Sequence, residues 1–135
     1  MHDLPLIAKW QRVTHLLLHA VEQELADLGF SPAETNALAC FAGRSARTVR
    51  ELVDATGQRP STLTGVLDRL ERRALVARTP NPADRRSVLV ELTPTGRAAA
   101  ERVAAAFAAV EARLPAGDAA RLISQIRHAH LTDAC

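Results

Sequence analysis

Between Thr48 and Gly96, two short helical signals run directly into a hairpin signal, an order that few folds accommodate. Thr48-Val49-Arg50-Glu51 reads as a capping box. The Thr hydroxyl accepts from the amide three residues on, and the Glu side chain reaches back to the amide of the cap. Gly57 is placed to end that helix. A second helix opens at Arg59-Pro60-Ser61-Thr62 and carries Leu63, Val66, Leu67 and Leu70 on one stripe at helical spacing. Leu75–Arg78 and Ser87–Leu92 then read as two short strands around the turn Thr79–Arg86. Helix, turn, helix and two-stranded wing is an arrangement suited to duplex DNA. The second helix fits the major groove, and the hairpin tip reaches the neighbouring minor groove.

Charge is distributed accordingly. The whole chain of 135 residues carries a net charge of only +2. From Arg44 to Arg86, however, ten arginines face five acids, a net of +5, and the remainder is at −3. A basic middle between acidic ends is what a phosphate-facing module with separate packing arms would show. Sixteen arginines against a single lysine reflect a compositional bias that codon usage explains, but such a bias does not explain where the arginines fall. With three Phe, one Trp and no Tyr, the core must be aliphatic and Ala-rich, which favours closely packed helices over a β-sandwich. No apolar run approaches the roughly 20 residues needed to span a bilayer. Met1-His2-Asp3 is not basic, and Lys9, Gln11 and Arg12 interrupt the stretch that follows, so neither a signal peptide nor a membrane role is expected and the chain reads as cytoplasmic.

Outside the middle segment the pattern is helical. Residues Leu4 to Leu28 form an amphipathic stretch with Leu6, Trp10, Val13, Leu17, Val21 and Leu25 recurring at three- and four-residue steps before Gly29. Ser31-Pro32-Ala33-Glu34 starts another helix, expected to run to Phe41 or Ala42 and stop at Gly43. Thr93-Pro94 caps a long Ala-rich helix through about Arg113. After the break Leu114-Pro115-Ala116-Gly117, a last helix from Asp118 to about Leu131 places Leu122, Ile126 and Ala129 on one face. Apolar helices at both chain ends have little core to cover in one copy, so pairing of two copies is expected, with a single chain folding back on itself as the alternative.

At this point the residues resemble a known family. Leu75-Val76-Ala77-Arg78 followed by Asp84-Arg85-Arg86-Ser87-Val88-Leu89-Val90-Glu91-Leu92-Thr93-Pro94-Thr95-Gly96 is similar to the wing signature of MarR-type regulators. So are Glu51-Leu52, Ser61-Thr62-Leu63-Thr64 and Leu67-Asp68-Arg69-Leu70-Glu71, in order and at matching spacing over nearly the whole chain. The resemblance implies a mainly α fold with a small β-wing: a winged helix-turn-helix over residues 31–93, with dimerisation helices from residues 1–30 and 94–135, in one MarR-type domain. It implies a homodimeric repressor of its own or a neighbouring operon, with a small-molecule pocket between the dimerising helices and the reading head. One departure is Ala74, where the family usually has Gly. A left-handed Ala there costs on the order of 1 kcal/mol relative to Gly.

The site residues follow. On the second helix, Arg59, Ser61, Thr62, Thr64, Gly65, Asp68 and Arg69 lie away from the apolar stripe and are candidates for reading double-stranded DNA, although capping the helix is the simpler role for Ser61. Arg72 and Arg73 are candidate phosphate contacts. At the wing, the family pattern points to Arg86, beside Arg85, as the inserted side chain, with Asp84 holding it in a forked ion pair. Trp10, Arg12, His15 and His19 lie near the family's pocket and would suit a small anionic aromatic effector, although core or dimer packing is the simpler role for Trp10. His15 and His19, with His128 and His130 near the C-terminus, lack a completing carboxylate or Cys at metal-site spacing, so no metal or other cofactor is expected. Cys40 falls in an apolar run and reads as a small packed residue, and Cys135 is the terminal residue. Redox or metal sensing on the same fold, and a winged helix turned to protein–protein assembly, are the alternative functions. An enzyme is not expected, because no Gly-rich phosphate loop, nucleophile motif or paired catalytic carboxylates are present.

Overall fold

The computed structural model describes residues 4–115 and 119–127. The Ser31, Thr48 and Thr93 hydroxyls each accept from the amide three residues on and start helices α2 (Pro32–Ala39), α3 (Val49–Thr56) and α5 (Pro94–Glu111). At Thr48 both arms of the capping box are made. The other helices are α1 (Leu6–Glu24), α4 (Pro60–Arg72) and α6 (Ala119–Arg127), and a three-stranded antiparallel sheet of β1 (Ala46–Thr48), β2 (Val76–Asn81) and β3 (Asp84–Leu92), in the order β1-β3-β2, packs against α3, α4 and α5. The helix at Leu6 ends at Glu24, ahead of the expected Leu28, and residues Leu25–Gly29 turn the chain back to α2. Likewise α2 ends at Ala39, and tighter three-residue bonds such as Cys40 N–H to Ala37 O carry the chain to Gly43 at φ +72°. Of the last predicted helix, Asp118, Ala129 and Leu131 lie outside the described residues. No helix among the described residues is long and apolar enough to cross a membrane.

Leu63, Val66, Leu67 and Leu70 are fully buried, as their spacing requires, against Leu38, Phe41, Leu52, Val90 and Val103. This core fixes α4 with its other face outward. Helix α1 is different, having no buried residue of its own. Leu6, Ile7, Trp10, Val13, Leu16 and Leu18 all lie exposed, as do Leu114, Ile123 and Ile126 towards the other end of the chain. Both ends therefore carry apolar faces that a single chain leaves uncovered.

Ala74 has φ +58° and is the one non-glycine with positive φ among the described residues. Leu75 N–H bonds Leu70 O at 3.0 Å and Ala74 N–H bonds Glu71 O at 2.9 Å, the paired bonds of a Schellman C-cap with Ala at the left-handed position. The turn thus takes the left-handed geometry that a Gly would adopt without strain. Ala74→Gly should stabilise the protein by up to about 1 kcal/mol, since relief of the left-handed Cβ outweighs the added freedom of the unfolded chain. Urea unfolding of the two proteins side by side checks this.

The hairpin is longer and tighter than the sequence pattern implies. Its strands extend to Asn81 and from Asp84, leaving Pro82-Ala83 as the connection instead of an eight-residue turn. Pairing runs in one register from Val76↔Leu92 to Pro80↔Val88 and then jumps to Asn81↔Asp84, so residues 85–87 have no register partner on β2, although the Asn81 side-chain amide donates to Ser87 Oγ at 3.3 Å. Pro80, with no N–H to give, is tolerated because β2 is an edge strand. The β1 strand was not foreseen. It spans three residues that no local pattern marks, and its pairing to Leu89–Glu91 is set by tertiary contact.

Candidate nucleic-acid interface

Local structure at the hairpin tip decides where its arginines go. The Asn81 side-chain oxygen accepts from the amide of Ala83 at 3.0 Å, and an Asp84 carboxylate oxygen accepts from the amide of Arg86 at 3.0 Å. Two consecutive side-chain-to-backbone turns thus hold the tip. The expected fork between Asp84 and the Arg86 guanidinium is not formed. The carboxylate is committed to the backbone, and Arg85 and Arg86 project from the unpaired segment, exposed and without an ion-pair partner among the described residues.

On α4 the N-cap is Arg59, not Ser61, and no side chain caps the helix. Ser61, Thr62 and Thr64 are exposed on its outward face, and the Thr64 hydroxyl donates back to Pro60 O at 3.0 Å, keeping its methyl and lone pairs outward. Gly65 sits inside this helix. A Cβ there would meet only the Arg69 Nη1 at an ordinary 3.6 Å, so nothing in the chain requires a glycine. Helix-interior Gly costs close to 1 kcal/mol relative to Ala.

Several arginines counted as phosphate-facing are neutralised within the fold. Arg69 and Arg73 pair with Glu34 of α2 at 3.3 and 3.5 Å, around a carboxylate that is only 8% exposed. Arg73 also donates to Leu28 O at 2.7 Å and lies over the Phe30 ring, 4.3 Å from its centroid. Arg73 is therefore a packing residue that ties α4 to α2, and Arg69 shares that role. Asp68 is likewise occupied. It and Glu71 each receive Arg78 of β2 at 2.6 Å, which clamps the end of α4 to the hairpin and raises the Arg78 guanidinium above its ordinary value, Glu71 contributing most. Arg44 and Arg47 both pair with Glu51 at 3.2 Å, and the Arg47 bond is the main cause of a Glu51 pKa below the usual range.

Subtracting these pairs leaves Arg50, Arg59, Arg72, Arg85 and Arg86 as the arginines of the middle segment with no carboxylate partner among the described residues, all five exposed. Arg72 keeps its charge available and only donates Nε–H to Asp68 O at 3.3 Å. Arg50 was missed from the candidate set because the capping box accounts for its neighbours on both sides. The signal that finds it is its lack of a partner.

A cavity of about 550 Å³ opens between α1, α2 and α5 and reaches the α3–α4 loop. Trp10, Arg12, His15 and His19 do not line it; α1 contributes Thr14, Leu17, Leu18, Val21 and Glu22 instead. The expected pocket residues fall on the wrong turns and faces of α1. Among the described residues no three His, Cys, Asp or Glu side chains converge as a metal site. Cys40 is half-buried and donates to Asn36 O at 3.2 Å, and burial pushes its thiol pKa up, the opposite of an activated sensor thiol. Cys135, His128 and His130 lie outside the described residues.

These features have parallels in known proteins. A sequence model of the MarR family matches residues 28–87. The HTH-type transcriptional repressor MdtR of Bacillus subtilis is 34% identical over 111 residues, covering 82% of this chain and 69% of that protein. Among solved structures, Bordetella bronchiseptica BpsR, whose DNA binding is regulated by 6-hydroxynicotinic acid, superposes with a TM-score of 0.74 at 27% identity over 91% of each chain. A MarR variant from E. coli complexed with operator DNA gives a TM-score of 0.73 at 27% identity, covering 93% of this chain and 94% of that one. The chain belongs to the MarR family and is a DNA-binding transcriptional regulator.

Proposed function

We propose that the protein is a ligand-responsive repressor that binds a palindromic operator as a homodimer in the cytoplasm. Residues 31–93 would form the reading head and residues 1–30 and 94–135 the dimerisation region. The observation that carries this reading is where the arginines of the middle segment without a carboxylate partner lie: Arg50, Arg59, Arg72, Arg85 and Arg86 stand on α3, at the start and end of α4, and at the hairpin tip. A palindrome needs two reading heads related by a two-fold axis. The uncovered apolar faces at both chain ends supply a surface for that pairing. A gel shift on DNA flanking the protein's own gene, at two salt concentrations, tests the reading. Sequence-specific retention that weakens steeply with salt is expected. No retention at low salt would favour an assembly role for the fold.

On this reading Ser61, Thr62 and Thr64 meet base edges, and Arg72 meets phosphate. Thr62→Ala or Thr64→Ala should change relative affinity among operator variants by about 1–3 kcal/mol. Arg72→Ala should weaken all sequences alike and lower the salt slope by about 1. Arg86→Ala should lose affinity mainly at sites with AT-rich flanks, where a narrow groove rewards an inserted guanidinium. Binding titrations against a small panel of duplexes separate these outcomes. Equal behaviour of the Thr and Arg variants across the panel would refute the assignment.

Gly65→Ala gives a sharper split. It should stabilise the free protein by about 1 kcal/mol, because helix propensity improves and the new Cβ meets only ordinary contact. At the same time it should weaken operator binding, because the methyl stands where DNA approaches the helix. Thermal unfolding and a gel shift on one preparation test both halves, and unchanged binding would remove Gly65 from the interface.

A further inference from the structure

Arg69 and Arg73, one helical turn apart on the flank of α4 that meets α2, share the Glu34 carboxylate. Both of its oxygens are engaged. Oε1 accepts from Arg69 Nε at 3.3 Å and from the Ser31 hydroxyl at 3.1 Å, and Oε2 accepts from Arg73 Nη1 at 3.5 Å. The Glu34 side chain is 8% exposed, against 46% for Arg69 and 40% for Arg73. A buried carboxylate left without a cation is costly, so the pairing is held from the acid's side although both cations stand at the surface. The two arginines are not held alike. Arg73 has further anchors in Leu28 O at 2.7 Å and the Phe30 ring at 4.3 Å, whereas Glu34 is the one polar partner of Arg69 among the described residues. The Arg69 Nη1 lies beside Gly65, 3.6 Å from where a Cβ would stand, and Gly65 follows Ser61 by one turn of α4. The Arg69 guanidinium therefore borders the outward face of that helix.

We propose that Glu34 is a positioning residue that sets specificity: it withholds Arg69 from phosphate and so keeps the affinity for non-specific DNA low. Non-specific binding is nearly all phosphate contact, and each further contact steepens the slope of log affinity against log salt by about 0.9. A released Arg69 guanidinium would make such a contact on any sequence. The specific complex gains less from it. That complex also needs α4 held at a fixed angle, so that Ser61, Thr62 and Thr64 meet base edges, and Glu34 is part of what holds α4 to α2. Because an operator competes with all the non-specific sites of a genome, the ratio of the two affinities is what counts. Glu34 acts on that ratio through Arg69 and touches no DNA itself. This assignment deepens the regulator reading and rests on it.

Fluorescence anisotropy of the full-length protein on its selected operator and on a random-sequence duplex of equal length, over a salt series, tests it. Glu34→Gln keeps the shape of the side chain and leaves the Arg69 charge uncompensated. It should bind the random duplex about threefold to tenfold more tightly, with a salt slope steeper by about 0.9. Operator affinity should not rise in step, so the ratio of the two falls. Adding Arg69→Gln should abolish the gain. Glu91→Gln, which removes the charge of an exposed acid with no ion pair among the described residues, should not reproduce it. A purely structural role gives the opposite sign, since a loosened α4 lowers operator affinity and leaves the random-duplex slope no steeper. Should circular dichroism show Glu34→Gln unfolded, Arg69→Gln in the wild type decides: it should lower the slope far less than the loss of about 1 expected of Arg72→Gln. Random-duplex affinity that does not rise in folded Glu34→Gln, a gain that survives Arg69→Gln, a gain matched by Glu91→Gln, or a slope loss in Arg69→Gln equal to that of Arg72→Gln would overturn the proposal. Those four results leave the regulator reading standing. A wild type that prefers no sequence at low salt would overturn that reading, and this proposal with it.

Discussion

Gly96→Ala is expected to destabilise the protein by about 4 kcal/mol or more. A Cβ on Gly96 would lie 1.7 Å from Leu75 O, 2.7 Å from Leu75 C and 3.1 Å from Leu75 Cα. All three are backbone atoms, so no side chain can rotate away. That carbonyl also accepts from Thr93 N–H at 3.0 Å, and Thr93 in turn caps α5 through Gly96 N–H at 3.0 Å and donates its hydroxyl proton to Ala74 O at 2.6 Å. The new methyl must therefore part the first turn of α5 from the base of the hairpin. It would undo the joint between the hairpin and the first turn of α5. Urea denaturation beside Gly65→Ala provides an internal control, since both add one methyl to a helical glycine. A loss below about 1 kcal/mol for Gly96→Ala would mean that this close approach is not maintained in solution.

The second large effect concerns the exposed face of α1. Leu6 is 67% and Ile7 68% exposed in the single chain, so replacing both with Glu should leave the fold of that chain intact. Placed in a two-fold interface, four added carboxylates per dimer would be buried against apolar surface and each other. The Leu6→Glu, Ile7→Glu protein should be monomeric by light scattering with unchanged helical circular dichroism. Its operator affinity should fall at least about a hundredfold, towards non-specific binding, because one reading head sees only a half-site. A variant that stays dimeric with full operator affinity would move the interface away from this face.

What was legible in the sequence was whatever a few neighbouring residues decide. The caps at Ser31, Thr48 and Thr93 are bonds to an amide three residues away, and the structure makes all three. The stripe Leu63, Val66, Leu67 and Leu70 is a one-helix periodicity, and it is buried as read. The left-handed strain at Ala74 was visible because one residue type was out of place in a familiar turn.

The illegible parts were decided by partners far along the chain. Glu34 claims Arg69 and Arg73 from 35 and 39 residues away, and a charge count over the middle segment could not see a neutralising acid outside its limits. Arg78 takes Asp68 out of the candidate reading set for the same reason. The β1 strand exists only because β3 lies beside it. At the wing, the sequence correctly placed two arginines near the tip but put the Asp84 carboxylate on a guanidinium. A backbone amide two residues on is the nearer and more rigid partner. The cavity is built from α1, α2, α5 and a loop, so its lining could not be read from α1 alone.

Selection of bound duplexes from a randomised library by the full-length protein tests the central claim most directly. Two symmetry-related heads reading successive major grooves predict enriched inverted repeats with half-site centres about one helical turn apart, on the order of 10 base pairs, or a multiple of that. The same selection with the Leu6→Glu, Ile7→Glu protein should lose the repeat. Enrichment of a single unrepeated motif, or of no motif at all, would contradict a two-fold reader of DNA.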